Sequence, residues 1–261
     1  MKILVCVKQV MNLQSDIKPD PENKWVLISP TTDFTFSRFD EYAVEEAVLI
    51  KESIPDTTID IISVGPERAV SVIKRTQGMG ADHGIHILTK KNSHISPFLI
   101  AQWISSVARE KNYDLIFTGV MSEDEMQGQV GPIIAALLGW PLATSVIFEK
   151  ISPDKKTIYA EREIEGGFKD TLELKLPAVL TIQSGINEPR YPKLTNMLRA
   201  KRETHEVIDA ENLDNSRPRQ VLANVVSPQK MRSGIVLDGS AKEKAIKLLK
   251  ILNEKSIISL S

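Results

Sequence analysis

The sequence predicts an α/β fold: a doubly wound, mostly parallel sheet with an antiparallel extension and a C-terminal arm. Three observations carry this expectation. Unbroken apolar runs at Ile3 to Val7, Ile59 to Val64 and Leu115 to Phe117 lack the alternation of a half-solvated strand, as strands covered on both faces do. Segments of helical period separate them. After Pro141 the pattern changes to short runs that follow one another without long helices between them.

The elements read in order as follows. Lys2 to Val7 forms the first strand, and a polar excursion with Pro19, Pro21 and a turn cluster leads to Trp25 to Ile28, read as part of a hairpin. Asp40 stands where an N-cap would, ahead of Ala43, Val44, Ala47, Val48 and Ile50 at helical spacing. Gly65 and Pro66 end the strand Ile59 to Val64, and a helix starts at about Glu67. A strand at Ile85 to Leu88, a helix over Phe98 to Ala108, the strand Leu115 to Phe117 and a helix over Gly131 to Leu138 continue the alternation. Val146 to Ile151, Ile158 to Ile164 and Leu172 to Leu174 are the antiparallel extension, and Pro177 to Ile182 is one more buried strand. Beyond about residue 190, prolines and a basic cluster leave little room for a core. Only Ala241 to Glu254 regains an amphipathic pattern, through Ala245, Leu248, Leu249 and Leu252, and it needs another surface to cover it.

Composition narrows the function. Hydrophobic residues at 42% and charged residues at 26% are those of a globular protein, and the net charge of −1 argues against a nucleic-acid binder held by a basic field. Cys6 is the single cysteine, so no internal disulfide forms. No run approaches the roughly 18 apolar residues of a membrane span. The apolar run after Met1 is too short for a signal-peptide core. The expected location is therefore the cytoplasm, without membrane insertion. His83, His86, His94 and His205 show no metal-ligand spacing.

The best site candidate is the loop from Gly119 to Gly131, which follows a buried strand and opens a helix. Ligands of open α/β sheets sit beyond the carboxyl ends of strands, and free N–H groups at a helix start favour a phosphate. The same loop reads equally well as a plain connection with a routine helix start. Glu123 and Glu125 would repel a phosphate unless they turn away. No G-x-x-x-x-G-K-[ST] is present, and Lys8 to Met11 replaces a G-x-G-x-x-G after the first strand.

Further segments resemble one family. Val5 to Val10, Ala43 to Ala47, Met79 to Asp82, Glu161 to Gly167, Leu176 to Thr181 and Asn187 to Tyr191 are similar to the β subunit of electron transfer flavoproteins, in the right order over about residues 1 to 208. The resemblance implies a Rossmann-like sheet of the adenine nucleotide hydrolase-like type. It implies a nucleotide-binding domain over residues 1–190, then a recognition loop and an arm over 191–261 whose terminal helix packs on the family's larger α subunit. It further implies an electron carrier subunit with no catalysis of its own. One AMP would be bound structurally, with FAD held mostly by the α subunit. A flavin-dependent dehydrogenase, of acyl-CoA or amine type, would dock for electron transfer.

Carried over by position, the AMP pocket involves Cys6, Ser37, Arg38, Phe39, Asp40, Val64, Gly119, Ser122, Asp124, Gln127, Gly128, Gln129, Val130 and Gly131. Cys6 and Val64 also read as core, and Asp40 as a helix cap. Phe39 falls where the family has an aromatic beside the flavin, and Leu13 where some relatives have a tyrosine. Glu163 matches a glutamate that touches the α subunit's flavin domain. Tyr191, Leu194 and Arg199 fall in the recognition loop, with Leu194 as the anchor. Two alternatives remain: an electron-bifurcating relative with a second FAD in the AMP pocket, and a stand-alone adenine-nucleotide sensor. Met126 and Gln127 replace smaller residues of the bifurcating form, and Pro141 interrupts the G-x2-G-x9-G of ATP-binding sensors.

Overall fold

A computed structural model describes residues 1–12, 17–22, 24–90, 94–213, 217–227 and 234–258. In chain order the elements are β1 (Lys2–Cys6), β2 (Gln9–Met11), β3 (Phe34–Phe36), α1 (Arg38–Ser53), β4 (Thr58–Gly65), α2 (Val70–Met79), β5 (His83–Leu88), α3 (Pro97–Lys111) and β6 (Leu115–Gly119). Then follow α4 (Val130–Leu138), β7 (Leu142–Ile151), β8 (Thr157–Glu163), β9 (Lys169–Lys175), β10 (Ala178–Ile182), α5 (Leu194–Arg202), β11 (Glu206–Asp209) and α6 (Ala241–Glu254). Contacts divide the chain into two compact units, Met1–Val225 and Val226–Ser261.

Nine strands form one sheet in the order β11-β5-β4-β1-β6-β10-β7-β8-β9. β11 through β7 pair in parallel, and β8 and β9 add antiparallel, as the loss of helical spacers after Pro141 predicted. Successive residues of β1 feed opposite cores. Ile3 and Val5 pack with Val44, Ala47 and Val48 of α1 and Ile73 of α2. Leu4 and Cys6 face Ile104 and Val107 of α3 and Ile134 of α4. That two-sided burial is why the strands read as unbroken apolar runs. The chain steps from β1 to β4 and β5, then returns to β6 on the other side of β1. A crevice opens where the order reverses, beyond the strands' carboxyl ends.

Three expectations change. Asp40 does not cap α1: Ser37 holds the N-cap position, and Asp40 sits in the first turn. Its carboxylate accepts the Lys8 N–H at 2.8 Å and the Gly119 N–H at 3.1 Å, so its acceptor capacity goes to two strand ends. The hairpin of the excursion closes through β2 and β3, whereas residues 25–28 give a single antiparallel bridge from Val26 to Pro19. Chain beyond residue 190 is also more ordered than its prolines suggested. α5 packs on α2, with Met197 against Gly78, and β11 joins the sheet edge beside β5. A four-residue strand needs only a backbone edge to pair with, so it leaves no periodic signature.

The segment leading to α5 is tied to α1. Arg190 forks onto Glu45 at 2.9–3.0 Å and onto Glu52 at 2.6 and 3.0 Å. Asn187 Nδ2 donates to Glu46 at 2.7 Å and to the Tyr42 carbonyl at 3.0 Å. Burial and the neighbouring Glu46 push the Glu149 carboxyl up to about 8. Glu46 is raised too, by burial against the pull of Asn187. The buried Glu149 Oε2 has no hydrogen-bond partner among the described residues, and the raised pKa favours the protonated carboxyl, which can donate toward Glu46. The second unit carries α6, which opens with a capping box: Ser240 N–H donates to Glu243 at 2.7 Å and Glu243 N–H to Ser240 Oγ at 3.4 Å. Its Ile246, Leu248 and Leu249 are exposed.

Two predictions follow from these ties. Asp40→Ala leaves the buried Gly119 N–H and the part-buried Lys8 N–H unpaired, and urea unfolding at pH 6 is expected to show a loss of about 2–4 kcal/mol. For Glu149 the folded pKa lies above the unfolded one. The stability it contributes is complete below the ordinary glutamate range and lost as pH rises toward about 8. Glu149→Gln donates permanently to Glu46, so its Tm is expected to match wild type at pH 4.5 and exceed it at pH 8.

Candidate functional site

The crevice is a cleft of about 770 Å³, partly open to solvent. The ends of three strands form its floor: Cys6, Val7 and Lys8 from β1 and just beyond, Ile62 and Val64 from β4, and Thr118 and Gly119 from β6. Pro97, Ile100 and Ile104 of α3 make an apolar wall. The loop from Val120 to Gln129 and the start of α4 close the other side.

Two glycines set its shape through close approach. A Cβ on Gly119 would lie 2.5 Å from Asp40 Oδ1 and 2.8 Å from Phe39 Cβ, so α1 can reach β6 only across a bare backbone. A Cβ on Gly131 would lie 2.6 Å from Thr181 Cγ2 and 2.8 Å from Thr118 Oγ1, so α4 can begin directly against β6 and β10. The N-cap residue Gln129 makes no side-chain cap bond, and the first turn of α4 leaves N–H groups without intrahelical acceptors at the cleft. Such a helix start favours a negative group.

Electrostatics confirms that the acidic loop is held. Lys8 Nζ donates to Asp124 Oδ1 and Glu125 Oε1, each at 2.9 Å, and to Ser122 Oγ at 3.3 Å. Burial alone would lower the Lys8 pKa, but Glu125 and Asp124 outweigh it and raise the value. Glu123 turns to the Arg38 N–H at 3.2 Å, and His94 Nε2 stands 3.6 Å from Glu125 Oε2. Burial pushes the Asp40 carboxyl up to about 7, against the two N–H bonds that pull it down. Burial, then Asp40, pushes the Cys6 thiol far up, so it stays neutral.

Of the expected pocket residues, Cys6, Asp40, Val64, Gly119, Ser122, Gln127, Gly128, Gln129, Val130 and Gly131 come together on the cleft wall. Ser37, Arg38 and Phe39 lie beside it at the start of α1, and Asp124 sits in the Lys8 cluster. Leu13 lies outside the described residues. The expected partner-facing residues are elsewhere: Glu163 is exposed at the end of β8, and Tyr191, Leu194 and Arg199 are exposed in and just ahead of α5. Leu194 keeps 75% of its surface and Tyr191 85%. Sequence reading missed Lys8, Ile62, Thr118 and the α3 wall. Ile100 and Ile104 did show helical spacing, but spacing does not separate a cleft wall from a core. Among the described residues, no group of three or more His, Cys, Asp or Glu could hold a metal ion, and no helix is long and apolar enough to cross a membrane.

Comparison with known proteins agrees with this architecture. Residues 24–213 match the family model described as "Electron transfer flavoprotein domain". The chain is 34% identical over 259 residues to "Electron transfer flavoprotein subunit beta, mitochondrial" of Arabidopsis thaliana, covering 99% of this chain and 100% of the relative. It is 36% identical over 215 residues to the electron transfer flavoprotein subunit beta of Bos taurus, covering 82% and 83%. To that of Methylophilus methylotrophus it is 28% identical over 267 residues, covering 97% and 98%. A match that runs nearly end to end takes in both the strand-end cleft and the exposed α5, and on that basis the chain belongs to the electron transfer flavoprotein family, among its β subunits.

Proposed function

We propose that this chain is the β subunit of a heterodimeric electron carrier, holding one AMP in the strand-end cleft as a structural ligand. The single observation behind this is the cleft itself, with an apolar wall on one side and the open N-terminus of α4 on the other. The wall of Ile62, Val64, Ile100 and Ile104 suits an adenine ring, and the backbone around Gly128 to Gly131 suits one phosphate. Of the reactive side chains at the cleft, Lys8 is spent on carboxylates and the Cys6 thiol is neutral, so neither would perform chemistry on that phosphate. A bound adenylate would fasten β1, β4 and β6 to the 119–131 loop and stiffen the subunit.

The flavin supplies the redox chemistry, and in this reading FAD is held mostly by an α subunit. Phe39 at the start of α1 lies beside the cleft and is available to that flavin. The chain's own contribution is positioning. Glu163 on the antiparallel extension would meet the α subunit's flavin-bearing part, and a surface ion pair of that kind forms and releases easily. The apolar face of α6, with Leu248 and Leu249 open, would pack on the α subunit. Leu194 and Leu198, one turn apart on α5 and exposed, with Arg199, Lys201 and Arg202 around them, form a small apolar anchor in a basic rim. That surface suits transient docking of a flavin-dependent dehydrogenase.

The test is to co-purify the chain with its α subunit and release the bound nucleotides with acid. One AMP and one FAD per heterodimer are expected, and two flavins would overturn the AMP assignment. Gly131→Ala drives a methyl group into Thr118 and Thr181, shifts the start of α4 away from β6 and β10, and is expected to lower AMP retention, read as moles of AMP per heterodimer. Leu194→Ala is expected to slow dehydrogenase-driven flavin reduction while leaving AMP and FAD content unchanged. Equal reduction rates would remove α5 from the docking surface.

A further inference from the structure

A second chamber of about 610 Å³ adjoins the cleft, and Lys8, Val64, Ile100 and Glu125 line both. Trp25, Phe34 and Arg68 belong to this chamber alone, with the Arg68 guanidinium 4.0 Å above the Phe34 ring and the Trp25 and His94 rings 5.3 Å apart. Lys8 and Glu125 are the charged side chains shared by the two spaces, beside the apolar Val64 and Ile100; Ser122 lines the first space and Asp124 the second, so the Lys8 cluster runs from one to the other. We propose that the Lys8–Asp124–Glu125 cluster is a partition that restricts the cleft to a nucleoside monophosphate. The inference rests on the reading of the cleft as an adenylate site and adds to it a reason for stopping at one phosphate.

Both size and charge support the partition. The ammonium has three N–H bonds, and Ser122, Asp124 and Glu125 take all three. To greet a second phosphate, Lys8 would have to leave two half-buried carboxylates without their cation, which costs more than a surface ion pair returns. Left in place, the cluster presents two carboxylates to one ammonium and repels added negative charge. A single phosphate at the start of α4 avoids this, since backbone N–H groups receive it and Lys8 is not needed. Glu125 is further backed by His94, which keeps it on the dividing wall.

The experiment is calorimetric titration of the nucleotide-stripped heterodimer with AMP and with ADP. Wild type is expected to prefer AMP. The double variant Asp124→Asn with Glu125→Gln keeps the bulk of the wall and frees Lys8. It is expected to shift the AMP-to-ADP affinity ratio toward ADP by about tenfold or more, the return on one charge-assisted hydrogen bond. Adding Lys8→Met to the double variant is expected to erase that gain. If the double variant fails to assemble, Glu125→Gln alone reads the same AMP-to-ADP ratio. A wild-type complex that takes no adenylate would overturn the reading of the cleft and the partition with it. Wild-type binding of AMP with an unchanged ratio in the variants would overturn the partition alone.

Discussion

Two backbone N–H groups, those of Lys8 and Gly119, point at one buried carboxylate, and the site is arranged around that fact. β1 and β6 are neighbours in the sheet, but their hydrogen-bond ladder ends before the loops diverge. Asp40 continues the connection through a side chain, from the first turn of a helix that covers the sheet. The consequence is geometric. The chain after β1 is fixed far enough for Lys8 to reach the 122–125 loop, and the chain after β6 is fixed far enough for that loop to begin against α1. The clasp requires glycine at 119, because any side chain there would occupy the space of the carboxylate.

The same helix serves the far side of the molecule. Asp40 anchors the cleft at the start of α1, while Glu45, Glu46 and Glu52 farther along hold Asn187 and Arg190, the residues that lead into α5. Cleft and exposed helix are thus referred to one rigid element, not to loops that wander independently. Under the proposed function, in which the cleft would hold a nucleotide and α5 would meet a partner, shared anchorage matters more than affinity at either end. The surface ion pairs of Arg190 matter in this setting because they act as a bidentate fork onto a buried glutamate, unlike the dispersed pairs elsewhere on the surface.

Much of the sheet was legible because double-sided burial writes itself as unbroken apolar runs, and the helices between them as a period near 3.6 residues. The antiparallel extension was legible from the loss of that period. β11 and α5 were not, since one pairs through backbone alone and the other exposes most of its side chains. The loop Gly119 to Gly131 was legible as a site from its place between strand and helix, though not its internal pairing. Nothing local announces that Lys8, more than a hundred residues away in sequence, neutralises Asp124 and Glu125. Asp40 was visible as an acid at a helix start, and a cap was the economical inference. Its true partners lie 32 and 79 residues distant, beyond the reach of any local rule.

Cys6 illustrates how architecture governs covalent fate. It is the chain's sole sulfhydryl, buried at the floor of the cleft, where burial and then Asp40 push its pKa far up. Oxidants and disulfide exchange act on thiolates, so a thiol held protonated is a poor target for either. The burial that builds the sheet thereby also disfavours cross-linking and sulfenylation at this position, without any dedicated protective device.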